Sequence, residues 1–197
     1  SDSENILDRH ILESVIHIYK ILLAHSVSHE TRLVDIGTGP GLPGYIFYTL
    51  KNPPYITLVD SQMRRLGILE KFHTEKYQDQ KVTFIYARVE DIKEKFDLVI
   101  MRSTIKYPWS AEMICRLLKQ NSCFIPFLGR RNYDLKFEQM FLENLGLKIE
   151  KDFDIPELEF LGNRHMKVLK KIAESKKGFP RKWEAISKEI KRTSWEK

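Results

Sequence analysis

The run Leu33-Val-Asp-Ile-Gly-Thr-Gly-Pro-Gly-Leu-Pro-Gly44 is a short apolar strand that enters a loop with glycines at Gly37, Gly39, Gly41 and Gly44. A backbone that turns sharply and also lets a ligand come close needs residues without a Cβ. Tyr55-Ile-Thr-Leu-Val-Asp60 is a second apolar strand, and it ends on a carboxylate 25 residues beyond Asp35. This is the layout of a βαβ nucleotide site, with Asp60 and the adjoining Ser61 placed at the ribose hydroxyls. Spacing alone leaves the nucleotide open, because Gly37-x-Gly39-x-Gly41 is tighter than the dinucleotide pattern, and a tight turn with no ligand uses similar residues. Two details separate the candidates. Asp35 would repel a phosphate and attract an amino-acid ammonium, and Pro40 and Pro43 remove amide donors that a pyrophosphate cradle would use. Both favour S-adenosylmethionine over NAD, with Asp35, Gly37, Thr38, Gly39 and Gly41 as the cofactor loop.

Outward from this loop the chain alternates strands and helices. Apolar residues at helical spacing over 6–25 predict an amphipathic helix. Strands are predicted over 32–35, 55–59, 82–86, 96–101, 122–128, 147–153 and 165–171, with helices over 42–50, 62–77, 110–118 and 133–144, the last capped by Gly146. The pattern predicts a Rossmann-like α/β fold: a mostly parallel seven-stranded sheet with helices on both faces and one antiparallel strand near an edge. The expected division is a helical segment over 1–30, a core over 31–173 and a tail over 174–197, joined through the linker-like stretch 174–178.

At 197 residues the chain is long enough for one ordinary domain. Cys115 and Cys123 lie in apolar stretches without metal-ligand spacing, so buried, reduced thiols are expected. There is no apolar run of membrane-spanning length and no signal pattern at the amino terminus, which predicts a soluble cytoplasmic protein without membrane contact. Residues 164–197 hold twelve Lys/Arg against four Glu, a net +8 in a chain whose total is +6. These cations are interleaved with Phe179, Trp183 and Trp195. That suits phosphate contacts with stacking side chains, with Arg164, Arg181 and Lys182 among them, although a solvated charged helix would read the same way.

The ends of the parallel strands should line one crevice. Adenine is expected near Ala87-Arg-Val-Glu-Asp91, held by backbone around Val89 and a carboxylate such as Glu90; Glu90 or Asp91 could equally cap the short turn there. The six histidines are scattered. His25 and His29 lack a third ligand, so surface histidines and no metal site are expected. No nucleophile–base arrangement is visible, and Ser103 has no evident partner. A substrate atom with a free lone pair needs no general base, so this does not exclude methyl transfer. Where many amino-group methyltransferases carry an Asn/Asp-Pro-Pro-aromatic motif, this chain reads Met101-Arg-Ser-Thr104. A cation there suits an acceptor edge such as guanine N7 with O6, which makes Arg102 the catalytic candidate; a local ion pair is the plainer alternative.

Taken together, Arg9-His-Ile-Leu-Glu-Ser14, Asp35-Ile-Gly-Thr-Gly-Pro-Gly-Leu-Pro-Gly44, Leu58-Val-Asp-Ser61 with Arg64-Arg65, Arg88-Val-Glu90, Phe96-Asp-Leu-Val-Ile-Met-Arg102 and Asn163-Arg-His165 resemble the small-subunit ribosomal RNA guanine-N7 methyltransferases. That family is also called glucose-inhibited division protein B. The resemblance covers most of the chain. It implies a class I S-adenosylmethionine-dependent fold, methyl transfer to a guanine N7 of 16S rRNA, free or in the small ribosomal subunit particle, and Arg102 and Arg164 as contacts to substrate or phosphate. A monomer is expected.

The chain is a divergent member by this measure. Leu128 stands where the family carries a lysine, with Arg130 and Arg131 following as candidate replacements for the charge. Asn121-Ser122 replaces a glycine pair, Phe179-Pro-Arg-Lys-Trp183 lacks the Gly-x-Pro expected after it, and the amino-terminal region is short. Two other functions stay open on the residues alone: a methyltransferase for a small molecule or protein, and a non-catalytic nucleotide- or RNA-binding module on the same fold.

Overall fold

Period-two alternation with both faces apolar is what a covered parallel sheet requires, and β4 (Phe96–Arg102) shows it. Leu98 and Ile100 enter one core cluster, while Val99 and Met101 enter the other on the opposite face. The computed structural model describes residues 7–193 other than 78, 103, 132 and 133. Among the described residues β4 is joined by β1 (Arg32–Ile36), β2 (Tyr55–Asp60), β3 (Val82–Tyr86), β5 (Leu118–Leu128), β6 (Leu147–Asp154) and β7 (His165–Lys171), in the order β3-β2-β1-β4-β5-β7-β6. The first five strands of that order run parallel, and β7 is antiparallel to both neighbours. The expected topology is borne out.

Helix α1 (Glu13–Ala24) follows a π-helical turn at Leu7–Leu12 and buries Ile18 and Ile21 on one face, where α2 (Met63–Lys76) adds Leu66. On the other face lie α3 (Trp109–Ile114), α4 (Leu135–Asn144) and α5 (Trp183–Arg192). Gly146 closes α4 at φ +67, and a Cβ there would lie 2.1 Å from the Ala173 carbonyl oxygen. Among the described residues no helix is long and apolar enough to cross a membrane, and no three His, Cys, Asp or Glu converge to hold a metal ion.

Three expectations need correction. The helix predicted over 42–50 is a 3-10 turn at Gly44–Thr49, because Tyr45-Ile-Phe-Tyr-Thr49 is a run of aromatic and β-branched residues that lose rotamer freedom in an α-helix. β5 begins at Leu118 rather than 122. Its polar first half hides the strand, and Asn121 at φ +65 stands where the register against β4 slips; asparagine tolerates that region better than other side chains with a Cβ. His17, His73 and His165 are buried. Each ring has a partner: His17 donates to the Glu13 carbonyl at 2.7 Å, His73 meets the Tyr45 hydroxyl at 3.0 Å, and His165 meets the Gly129 carbonyl at 2.5 Å.

The third point concerns the basic tail, several of whose cations are bonded within the fold; Trp195 lies outside the described residues. Lys167 and Lys171 belong to β7 and are buried, the first paired with Glu138 at 2.6 Å and Asp152 at 3.1 Å, the second donating to the Leu145 carbonyl at 2.7 Å. α5 docks through fully buried Ile186 and half-buried Trp183 and Ile190, the i, i+3, i+7 face of the helix. Just before it, Arg181 grips Glu112, a fully buried carboxylate, through Nε and Nη2 at 2.9 and 2.7 Å and through its backbone N–H at 2.7 Å. The residue expected at RNA phosphates therefore has an internal partner.

Removing one member of a buried ion pair strands the other. Arg181→Ala should lower unfolding free energy by about 3 kcal/mol, whereas Lys182→Ala, at an exposed position, should stay within about 0.5 kcal/mol of wild type. Urea denaturation compares them; equal stability in both variants would mean that the segment does not dock as described.

Candidate active site

The glycine loop begins where β1 ends and is tied down from two sides. The amides of Gly37 and Thr38 both donate to the Val59 carbonyl of β2, at 2.8 and 3.1 Å. From below, Asp35 accepts through one oxygen from the Thr38 hydroxyl at 2.7 Å and the Gly44 amide at 2.8 Å, and its other oxygen, Oδ1, has no protein partner. Asp35 is fully buried, and desolvation pushes its pKa up to about 6 against those two stabilising bonds. It lines neither cavity described next; it lies beneath the loop and shapes it through the Thr38 and Gly44 bonds. Gly41 is likewise structural: at φ +101 it lets Leu69 of α2 press in, with Leu69 Cδ2 only 2.1 Å from where a Cβ would stand.

A cavity of about 480 Å³ opens at the C-terminal ends of β1, β2, β3 and β4. Its polar end holds Gly37, Gly39, Asp60, Ser61 and Arg102. Asp60 accepts from the Gly39 amide at 2.8 Å and from the Gln62 amide at 2.7 Å, one bond to each oxygen, and an ionised carboxylate keeps further acceptor sites for a diol. Arg88 and Glu90 line the cavity too, with the apolar Ala87, Val89, Ile105 and Met113 and with Trp183 of α5. Glu90 lines this cavity from the 3-10 turn Val89–Asp91, whose cap residue is Arg88 with no side-chain bond, so neither Glu90 nor Asp91 is its N-cap.

A second cavity, about 830 Å³, shares Gly37, Gly39, Arg65 and Arg102 with the first and extends past Thr38, Phe127 and Leu128 to Arg164. Arg102, at the end of β4, donates to the Ser14 hydroxyl at 3.0 Å and stands 3.7 Å from Glu13; Arg164 Nε donates to the same Glu13 at 2.6 Å. One carboxylate on α1 thus holds both candidate substrate arginines. His17, one turn further along α1, stacks on Phe127 at 4.1 Å, and burial lowers its pKa to about 4.

Arg130 and Arg131, the candidate replacements for the charge absent at Leu128, stand beside the second cavity and not in its lining. They line a neighbouring cavity of about 400 Å³, where Arg130 is exposed and Arg131 is paired with Asp152 at 2.7 Å and with Asp154. Arg181 and Lys182 border a further cavity of about 460 Å³ that also touches Arg88, Glu90, Met113 and Trp183. The structure therefore brings Gly37, Gly39, Asp60, Ser61, Val89, Glu90 and Arg102 together, places Thr38 and Arg164 in the adjoining cavity, and leaves Asp35 and Gly41 beneath the loop. Ser103 lies outside the described residues. Sequence reasoning missed Glu13 and Thr104 in the site and gave Trp183 a different role. Glu13 had a signal, being one helical turn before His17 on the same face of α1.

The family model for rRNA small subunit methyltransferase G (GidB) matches residues 1–140. Ribosomal RNA small subunit methyltransferase G of Leptospira biflexa is 47% identical over 194 residues, which cover 97% of this chain and 78% of that protein. The protein of the same name from Leptospira interrogans is 45% identical over 190 residues, 96% of this chain and 74% of its own. Among solved structures, magnesium protoporphyrin IX methyltransferase from Synechocystis PCC 6803 with bound SAM aligns at a TM-score of 0.62 and 14% identity, over 81% of this chain and 79% of that one. This last likeness concerns the fold, and it bears out the Rossmann-like methyltransferase architecture.

The buried carboxylate has a measurable consequence. Asp35, raised from 3.8 to about 6, binds its proton more tightly when folded, so its contribution to stability falls as pH climbs through that window. His17, lowered from 6.5 to about 4, acts in the opposite sense and adds stability as pH rises through 4 to 6.5. Asp35→Asn keeps an acceptor for Gly44 and Thr38 while abolishing the carboxyl titration. Its stability should rise with pH between 4 and 6 more steeply than that of wild type, as followed by denaturation at stepped pH. Parallel curves would show that Asp35 titrates alike in the folded and unfolded chains.

Proposed function

The chain belongs to the rRNA small subunit methyltransferase G family, and from that premise we propose that it binds S-adenosylmethionine in the first cavity and methylates a guanine N7 of 16S rRNA presented through the second. It would act as a cytoplasmic monomer, on the RNA free or within the small-subunit particle. One observation carries the reading: the two cavities meet at Gly37, Gly39, Arg65 and Arg102, so a donor held by β1 and β2 would face an acceptor held against Arg102 and Arg164. The first cavity fits the donor. A Cβ on Gly39 would meet nothing within 4 Å, leaving open space over the loop, and Asp60 stands beside it with acceptor capacity for a ribose diol.

When bound, S-adenosylmethionine supplies an electrophilic methyl group on its sulfonium. Guanine N7 carries an unprotonated lone pair, so the chain needs no residue to remove a proton; its task is to hold the base in line. Arg102 does this by directing its fork at O6 or at a neighbouring phosphate oxygen, which leaves the N7 lone pair free to attack. Positive charge develops on the purine during transfer, so a cation nearby can only orient. Glu13 keeps Arg102 and Arg164 on one carboxylate and fixes where they stand. The exposed Lys176, Lys177, Lys182, Lys188, Lys191 and Arg192 remain available to RNA phosphates.

Incubating the chain with small-subunit RNA and methyl-labelled donor, followed by nucleoside mass analysis, should yield 7-methylguanosine; an exocyclic or ribose methyl product would overturn the N7 reading. Arg102→Lys should lose about tenfold or more in turnover, on the order of 1–3 kcal/mol for a bidentate base contact, and full activity would remove Arg102 from the mechanism. Asp60→Ala should weaken S-adenosylhomocysteine binding by about 1–3 kcal/mol, read by calorimetry; unchanged affinity would place the ribose elsewhere.

A further inference from the structure

We propose that Trp183, delivered by the C-terminal helix, is the aromatic wall of the donor cavity and packs on the purine ring of S-adenosylmethionine. The proposal rests on the donor reading above and assigns the purine to a residue outside the glycine loop and the β-strand ends. Arg88, Glu90, Met113 and Trp183 of the first cavity also line the outer cavity, whereas Gly37, Gly39, Asp60 and Arg102 do not, so Trp183 stands at the Arg88–Glu90 end, away from the glycine loop. An elongated ligand with a charged amino-acid end, a ribose and a flat heteroaromatic ring fits that layout with the ribose on Asp60 and the ring toward Trp183.

The placement of the indole does not depend on a ligand. Ile186, one turn further along α5, is fully buried, and Arg181, two residues before Trp183, is bonded to Glu112 and reaches Glu189 at 2.5 Å. Trp183 itself is half-buried, packed against the sheet-face cluster that contains Met113 while still lining the cavity. It also borders the outer cavity that holds Arg181 and Lys182, so the indole stands where the donor cavity meets that basic recess. A preorganised aromatic face loses little conformational freedom on binding, which is the economical way to hold a purine. Stacking on an RNA base is the competing use of such a side chain, and the test separates the two.

The experiment titrates full-length wild type, Trp183→Phe, Trp183→Leu and Trp183→Ala with S-adenosylhomocysteine and with adenosine by calorimetry, alongside indole fluorescence and circular dichroism. Dissociation constants should rise about tenfold or more in Trp183→Ala and Trp183→Leu, the latter keeping apolar bulk without an aromatic face, and stay within about threefold in Trp183→Phe. Adenosine should change the wild-type indole emission and leave that of Trp183→Phe unchanged. Wild-type affinity in Trp183→Ala, or a fluorescence response that persists in Trp183→Phe, overturns the proposal, as does an Ala variant that loses RNA affinity alone. A wild-type chain that binds neither ligand overturns the donor reading as well, so the two failures are distinguishable.

Discussion

A carboxylate without solvent sits at the end of β1, and the geometry of the site hangs from it. Asp35 receives the Thr38 hydroxyl and the Gly44 amide, nine residues downstream, through a single oxygen. That closes the glycine loop into a fixed arc, and the arc in turn aims the Gly39 amide at Asp60 on the next strand. Burying a charge with only two donors is unfavourable, as the upward pKa displacement records. The cost is confined to one group, and the loop it shapes keeps open space over Gly39.

Charge inside the molecule follows the same economy of partners. The basic excess of residues 164–197 looks like a surface device when written as a string, yet Lys167, Lys171, Arg164 and Arg181 each answer an acceptor inside or at the rim of the fold. Glu112 and Glu138, on α3 and α4, are buried at 0% and 1% exposure because those cations reach them. Net charge therefore overstates what is offered to RNA, and the exposed lysines of α5 and the stretch before it are the better measure.

The architecture was legible because the central strands β1 and β4 are apolar on both faces and each glycine or proline cluster falls between elements. The donor loop and Asp60 were legible for a related reason: their partners lie within one βαβ unit. What escaped lies far apart in the chain. Glu13 meets Arg164 across 151 positions, and no local pattern announces such a pairing. Trp183 was read as part of a charged run, although its spacing with Ile186 and Ile190 marks an inward helical face. The short turn at Gly44–Thr49 was misread because apolar residues at helical spacing do not reveal that their side chains crowd a helix.

The bridge from Glu13 to Arg164 also bears on how the protein is made. α1 leaves the ribosome before the strands of the sheet, and the arginine that completes its carboxylate clasp leaves only shortly before β7, the strand that inserts between β5 and β6. Until then a nascent chain can close its glycine loop, whose contacts are local, but cannot assemble the basic mouth beside it. The mouth beside the glycine loop is therefore completed late in synthesis, only after the residues between Glu13 and Arg164 have been made.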